Sequence, residues 1–204
     1  MPRKGCEALA RVFRVARIAA GLLAGTMLGL LLCSDTVPLK AAPDYICFEA
    51  EIAKSVTAPM RIEKPSRTSA RYGASGGKLL WVPDNAGDPT HKGDPNHKYA
   101  KGDAKITFKV NKTGAYYVWA RCWWTDSCGN SFKLQFDNQP AKEITGSTYK
   151  KYVWVRWKTD PIVLKAGTHT LTVYNNEDGS GVDQFFLTTD KGEEPAGKEV
   201  PNYP

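Results

Sequence analysis

Gly73-Ala74-Ser75-Gly76-Gly77 is a literal match to G-x-S-x-G, the pattern of a nucleophilic serine raised on a sharp turn. That device needs a strand before the turn and a helix after it, whereas Ser75 leads into the strand-like run Lys78-Leu79-Leu80-Trp81-Val82. The three histidines do not supply a base for it: His91 and His97 lie in a polar repeat, and His169 sits in a strand after an Ala-Gly turn. Paired carboxylates are the second catalytic foothold. Glu49 with Asp183, or Glu177 with Asp178, could serve as glycosidase acid and base if held at the right separation. A glycosidase also needs a long substrate groove, and a chain divided among many short strands leaves little length for one. The residues favour a protein that is not an enzyme.

Metal and thiol chemistry have their own candidates. Gly87-Asp88-Pro89-Thr90-His91-Lys92 is followed at once by Gly93-Asp94-Pro95-Asn96-His97-Lys98, a tandem hexapeptide. Two His and two Asp at a fixed period could hold a metal, but the Asp-x-Asp-x-Asp-Gly pattern of a calcium loop is missing and no Cys joins them, so a solvated polar insertion is expected. Cys122 and Cys128 flank a five-residue loop between two strand-like runs and are expected to close a local disulfide, with Cys47 unpaired in the first strand. The alternative is three reduced, partly buried thiols, since free Cys packs as a small hydrophobe.

The redox setting is read from the N-terminus. Arg3, Lys4, Arg11, Arg14 and Arg17 precede Ile18 to Leu32, an uncharged apolar run. At 15 residues this run falls short of the roughly 20 that a membrane-spanning helix needs, and small residues around Ala41-Ala42 suit a signal peptidase. Residues 1–42 are therefore expected to be a secretory signal peptide, with an uncleaved N-terminal anchor as the alternative, and the protein is expected to be secreted or held at the cell surface. The formal charge of +7 belongs mostly to this leader: without its six basic and two acidic residues, 22 Lys and Arg face 19 Asp and Glu, a balance of +3. A sustained basic surface for nucleic acid, or for a membrane beyond the N-terminal anchor, is not expected.

The remainder is predicted to be all β. Candidate strands are Ile46–Ile52, Met60–Lys64, Lys78–Val82, Ala104–Val110, Ala115–Trp124, Ser131–Asp137, Lys142–Thr145, Val153–Lys158, Pro161–Leu164, Thr168–Asn175 and Val182–Thr188. Ile106, Phe108 and Val110 alternate with Thr107 and Lys109, and Phe132, Leu134 and Phe136 with Lys133 and Gln135, which gives each strand one buried and one wet face. Turn formers separate the strands at Lys112-Thr113-Gly114, Asp137-Asn138-Gln139-Pro140, Lys165-Ala166-Gly167 and Glu177-Asp178-Gly179. Many short strands so spaced predict an antiparallel sandwich or barrel over residues 43–190. Lys191 to Pro204 holds three prolines without apolar periodicity and reads as a disordered tail.

Five pieces in order carry a family resemblance: Phe48-Glu49-Ala50-Glu51; Gly73 to Leu80; Gly114-Ala115-Tyr116-Tyr117-Val118-Trp119-Ala120-Arg121; Val163 to Val173; and Gly181-Val182-Asp183-Gln184-Phe185-Phe186-Leu187-Thr188. Together they resemble carbohydrate-binding modules of families 6 and 35, across nearly all of residues 46–189. The resemblance implies an antiparallel jelly-roll β-sandwich of galactose-binding-like topology, a polysaccharide or glycan as partner, and a structural calcium (Ca2+) whose ligands would be Glu49, Glu51 and Asp183. The residues agree with that set, because Glu49 and Glu51 at i, i+2 on a strand share a face while Phe48, Ala50 and Ile52 take the other. The same resemblance points to sugar stacking on exposed aromatics. Of the adjacent Trp123 and Trp124 one is expected in the core and one free; Trp154 and Trp157 divide in the same way; Tyr72 is the third candidate. Hydroxyl partners are expected from the loop of Asn175, Asn176, Glu177 and Asp178. The sequence departs from the family just before Val182-Asp183, where many members carry a ligand-binding Asn and this chain has Ser180-Gly181. The alternative function for the same sandwich is a cell-surface or extracellular-matrix protein that uses it for protein contacts.

Overall fold

Alternating runs such as Ile106-Thr107-Phe108-Lys109-Val110 and Phe132-Lys133-Leu134-Gln135-Phe136 turn their apolar residues inward, and two antiparallel sheets close over one apolar core. The computed structural model describes residues 45–87, 101–158 and 161–203. Its strands are β1 (Tyr45–Glu49), β2 (Ser55–Val56), β3 (Arg61–Glu63), β4 (Leu79–Val82), β5 (Asp103–Val110), β6 (Gly114–Trp124), β7 (Ser131–Phe136), β8 (Lys142–Thr145), β9 (Tyr152–Arg156), β10 (Ile162–Leu164), β11 (Gly167–Asn175) and β12 (Ser180–Thr188). The fold is the antiparallel β-sandwich expected of a jelly roll. β2 is the one strand the sequence pattern did not separate.

One sheet runs β2-β5-β11-β7-β8. The other is built on the long pair β6 and β12. On its far edge β6 pairs β9 along Trp119–Trp123 and β10 along Gly114–Tyr116; β12 likewise pairs β1 at one end and β4 at the other, and β3 extends the sheet from β4. Inward residues of both sheets meet in a single core, where Phe48 stands 5.3 Å from Phe108 and 5.6 Å from Phe185, ring centre to ring centre.

The β6–β12 sheet is covered on its outer face too. Leu79, Trp81 and Trp123 form one small cluster there with Ala74 and Tyr152; Cys47, Trp119 and Phe186 form another against Trp154. Every residue of β12 is buried as a result. A strand buried on both faces loses the alternation that marks a wet face, and β12 accordingly buries Asp183 and Gln184 along with Val182, Phe185, Phe186 and Leu187.

At Asp183 the pairing slips by one residue. Val182 faces Cys122 and Gln184 faces Arg121, so Asp183 is the extra residue of a β-bulge. The sequence shows the slip in its apolar spacing: the core residues Val182 and Phe185 are three apart rather than two. The bulge lets Asp183 and Gln184 act on the same neighbourhood, at the end of β1.

Residues 191–203 have no regular element, yet they do not behave as the disordered tail expected from their prolines. Asn202 accepts from the Cys47 amide at 2.7 Å and donates to the Tyr45 carbonyl at 3.0 Å, and the Tyr203 ring packs edge-on against Phe48. Backbone hydrogen bonding to the β1 edge supplies the order that composition alone does not reveal.

Candidate functional site

Glu49 closes β1, and the chain then tightens into a 3-10 turn at Ala50–Ile52. Glu51 therefore stands on a turn and not on the strand where an i, i+2 relation was expected to align it with Glu49. The turn still delivers it. One carboxylate oxygen from each of Glu49, Glu51 and Asp183 can be chosen so that all lie within 4.8 Å of one another.

A second turn, Ser75–Gly77, closes the cluster. The Ser75 amide donates to Asp183 Oδ1 at 2.8 Å and its hydroxyl donates to Glu49 Oε1 at 2.7 Å. Gly76 sits at φ 58°, and a Cβ there would lie 2.6 Å from Glu51 Oε1, so the close approach requires glycine. Ser75 is thus committed to orienting carboxylates, and its turn runs into strand β4, as the mismatch with a nucleophile elbow predicted. Gln184 Nε2 donates to Glu49 Oε1 at 3.3 Å, and Arg121 forms an ion pair with the other oxygen of Asp183.

Burial pushes the Asp183 carboxyl up to about 7, with Arg121 opposing and Glu49 adding to the shift. Burial also pushes Glu51 up to about 7, reinforced by the charges of Glu49 and Asp183. Glu49 is raised by burial in the same direction, against its bonds from Ser75 and Gln184. These are carboxylates short of positive charge. Glu49 Oε2 and Glu51 Oε2 are buried without a hydrogen-bond partner. Among the described residues Arg121 is the one cation ion-paired with the three carboxylates, Lys78 and Lys198 acting on Glu51 and Glu49 from farther off, and all the donors are hard oxygens, the set that suits a divalent cation such as calcium.

The sugar-binding candidates fare differently. Trp124 is fully buried in the core, and Trp123, which faces outward as alternation requires, is 4% exposed because the Ala74 segment and Tyr152 cover it. The expectation of one free Trp in this pair is corrected: a residue on the outer face of a sheet is free only if nothing lies over that face. Trp157 fills the core, as one of its pair was expected to. Trp154 is partly buried, edge-on to Phe186, and donates from Nε1 to the Gly197 carbonyl at 3.1 Å, so it anchors the C-terminal segment.

The 175–178 loop is corrected in the same way. Asn175, Asn176 and Asp178 are all buried and braced internally. Asn175 donates to the Gly87 carbonyl at 3.1 Å, Asn176 to the Ser131 hydroxyl at 2.6 Å, and Asp178 accepts from the Gly87 amide at 3.0 Å. Glu177 accepts from Asn130 and Ser131. Gly181, just before Val182-Asp183, lies against Leu79 and Trp81, and a Cβ there would come within 2.8 Å of Leu79.

The Cys122–Cys128 disulfide is not formed. Cys122 points from β6 into the core and Cys128 stands exposed in the turn beyond it; Cys47 is buried, and all three thiols are free. Burial pushes the Cys47 thiol up to about 12 and raises that of Cys122 well above its ordinary value. Residues 88–100, with His91 and His97, lie outside the described residues.

Tyr72 is the aromatic left open, at 57% exposure. It lines a groove of about 480 Å³ with Lys64, Arg67, Gly73, Ala74 and Lys198. The groove and the acidic cluster share the segment Gly73–Gly77. Gly73, Ala74 and Gly77 line the groove, while Ser75 and Gly76 close the cluster. The tail contribution, Lys198, carries no signal in the sequence that ties it to Tyr72.

No protein-family model matches the chain, and no curated protein matches it. Solved structures do resemble it. A GH26-CBM35 β-(1,4)-mannanase from Podospora anserina superposes with a TM-score of 0.53 at 16% identity, covering 74% of this chain and 29% of the mannanase chain. An exo-β-1,3-galactanase from Phanerochaete chrysosporium gives a TM-score of 0.50 at 16% identity, over 72% of this chain and 29% of the other. A family 35 carbohydrate-binding module from Clostridium thermocellum gives a TM-score of 0.49 at 16% identity, over 70% of this chain and 97% of the module. This chain thus spans under a third of the two enzymes. The β-sandwich is the architecture that this protein has in common with the mannanase and the galactanase.

Proposed function

We propose that this chain is an exported, non-catalytic carbohydrate-binding module. Glu49, Glu51 and Asp183 hold a structural calcium in it, and the Tyr72 groove holds the glycan. The reading is carried by one observation: the only groove with an open aromatic among the described cavities is built on the turn that closes a carboxylate cluster left short of positive charge. The fold shared with the CBM35-bearing mannanase supports it, as do the charged start and short apolar run of residues 1–42 for export. Tyr72 supplies a flat apolar face for a sugar ring, and Ser66 and the backbone around Gly73 supply hydroxyl partners. The calcium would fix the β1 end and the Ser75–Gly77 turn, and through that turn the floor of the groove.

Native affinity electrophoresis against a panel of plant, fungal and bacterial polysaccharides tests the reading. Retardation on at least one polymer is expected, lost in Tyr72→Ala with the melting temperature unchanged. A protein retarded by no polymer in calcium would overturn it and favour a surface protein that uses the sandwich for protein contacts.

A further inference from the structure

Gln184 is fully buried on β12, one residue past the bulge, and both polar atoms of its side chain are in use. Its Nε2 donates to Glu49 Oε1 at 3.3 Å and to the Glu199 carbonyl at 2.9 Å, while its Oε1 accepts from the Glu199 amide at 3.2 Å. A single side-chain amide therefore joins a candidate metal ligand to both backbone groups of a residue in the C-terminal segment. Burial makes each of these bonds costly to lose.

The segment reaches the same cluster by a second route. Lys198 Nζ donates to the Ala74 carbonyl at 3.2 Å, and Ala74 precedes Ser75, whose amide and hydroxyl hold Asp183 and Glu49. Two adjacent residues, Lys198 and Glu199, are thus tied to the two elements that build the cluster, the Ser75–Gly77 turn and the end of β1.

The segment is held differently along its length. At its end the amides of Asn202 and Tyr203 donate to the Cys47 carbonyl at 3.0 and 3.2 Å, and the Tyr203 ring packs on the core at Phe48. Ala196, Gly197 and Lys198 are exposed, and hydrogen bonds hold them: besides the Lys198 bond, the Gly197 carbonyl accepts from Trp154 Nε1 at 3.1 Å and the Ala196 amide donates to Glu199 Oε1 at 2.7 Å. A surface stretch fixed by hydrogen bonds opens at low free energy, so it responds to what it is bonded to. Charge gives the direction of that response. After burial, the charges of Glu49, Glu199 and Asp183 together raise the Cys47 thiol, so docking Glu199 brings another acid into an acidic neighbourhood, with Lys198 opposing at Glu49.

We propose that residues 196–199 are a metal-responsive strap, closed against the Ser75–Gly77 turn when Glu49, Glu51 and Asp183 hold a divalent cation and released when they do not. Asn202 and Tyr203 keep the tail attached in both states. The inference rests on the calcium reading and gives the Tyr72 groove a regulation, since Lys198 lines that groove. Glu49 fixed by a cation is fixed where Gln184 grips it, and the repulsion that Glu199 meets is relieved. Linkage makes the effect reciprocal: a strap that closes on the loaded cluster tightens calcium binding by the same factor.

Hydrogen exchange of the full chain, read at single amides by NMR in calcium and in chelator, tests it alongside titration calorimetry with calcium. The Glu199 amide is expected to exchange roughly fivefold or more slower in calcium, while the Asn202 and Tyr203 amides change less. Glu199→Pro removes the amide that donates to Gln184, and Glu199→Gln keeps that amide while removing the charge. The proline variant should bind calcium several-fold more weakly than the glutamine variant. Trp154→Phe keeps a ring but removes the donor to Gly197, and should weaken calcium binding in the same direction. Glu199 exchange that is indifferent to calcium, slowing no greater than at Asn202 and Tyr203, or equal calcium affinity in the two Glu199 variants would overturn the strap while leaving the calcium reading standing. Calorimetry that detects no calcium binding at all would overturn both.

Discussion

The acidic cluster and the Tyr72 groove are built on opposite sides of one short turn, Gly73–Gly77, and they treat charge in opposite ways. In the cluster, three carboxylates are packed with Asp183 fully buried and two oxygens unpartnered. In the groove, three cations stand in water and an aromatic is more than half exposed. A buried charge acts on the stability of the chain, whereas an exposed one acts on what the chain binds. Substitutions on the two sides of the turn should therefore separate into stability effects and affinity effects.

The largest effect is expected at Asp183. Asp183→Ala leaves the Arg121 guanidinium buried without its partner, and should cost about 3–5 kcal/mol in denaturant unfolding, with any calcium response lost. Glu51→Gln sharpens the comparison because its sign depends on the ion. In chelator at pH 8 it removes a buried, uncompensated charge and should raise stability by about 1–2 kcal/mol; in calcium it should lower it. Gly76→Ala places a methyl against Glu51 at positive φ and should cost roughly 1–2 kcal/mol and weaken calcium binding.

The same carboxylates set the pH dependence. Glu51 and Asp183 titrate near 7 in the folded chain against ordinary values of 4.5 and 3.8. Between those limits the folded chain holds more protons than the unfolded one, so in chelator the stability should fall as pH rises from about 4.5 to about 7. Calcium competes with those protons and should flatten or reverse the slope. On the groove side, Tyr72→Ala should weaken glycan binding by about 1–2 kcal/mol and leave the melting temperature alone. The smallest effect is expected from Cys128→Ser: with Cys122 in the core and Cys128 in solvent, neither the substitution nor a reductant should move the melting temperature.

What the sequence made legible was whatever a period of two controls. Ile106, Phe108 and Val110 declare their strand and their inward face without reference to anything distant, and so the sandwich could be drawn from local pattern. Glu49 and Asp183 could be paired only through a family resemblance, since 134 positions separate them and no local rule brings a bulge in β12 to the end of β1. Trp123 shows the limit from the other side. Its outward direction was readable, but the cover laid over it by Ala74 and Tyr152 is a tertiary fact. The Asn175–Asp178 run looked like a ligand loop because its residues are polar; its side chains instead hold the loop to Gly87 and Ser131. Lys198 was hidden in a proline-bearing tail whose order comes from Gln184, Trp154 and the β1 edge.

The most direct test of the account is calorimetric unfolding of the full chain at pH 7.5, in excess calcium and in chelator. A rise in melting temperature of several degrees in calcium, absent in Glu51→Gln, is the result predicted for a cation held by Glu49, Glu51 and Asp183. A melting temperature that is the same in calcium and in chelator would contradict the account, because the cluster would then pack the turn without an ion.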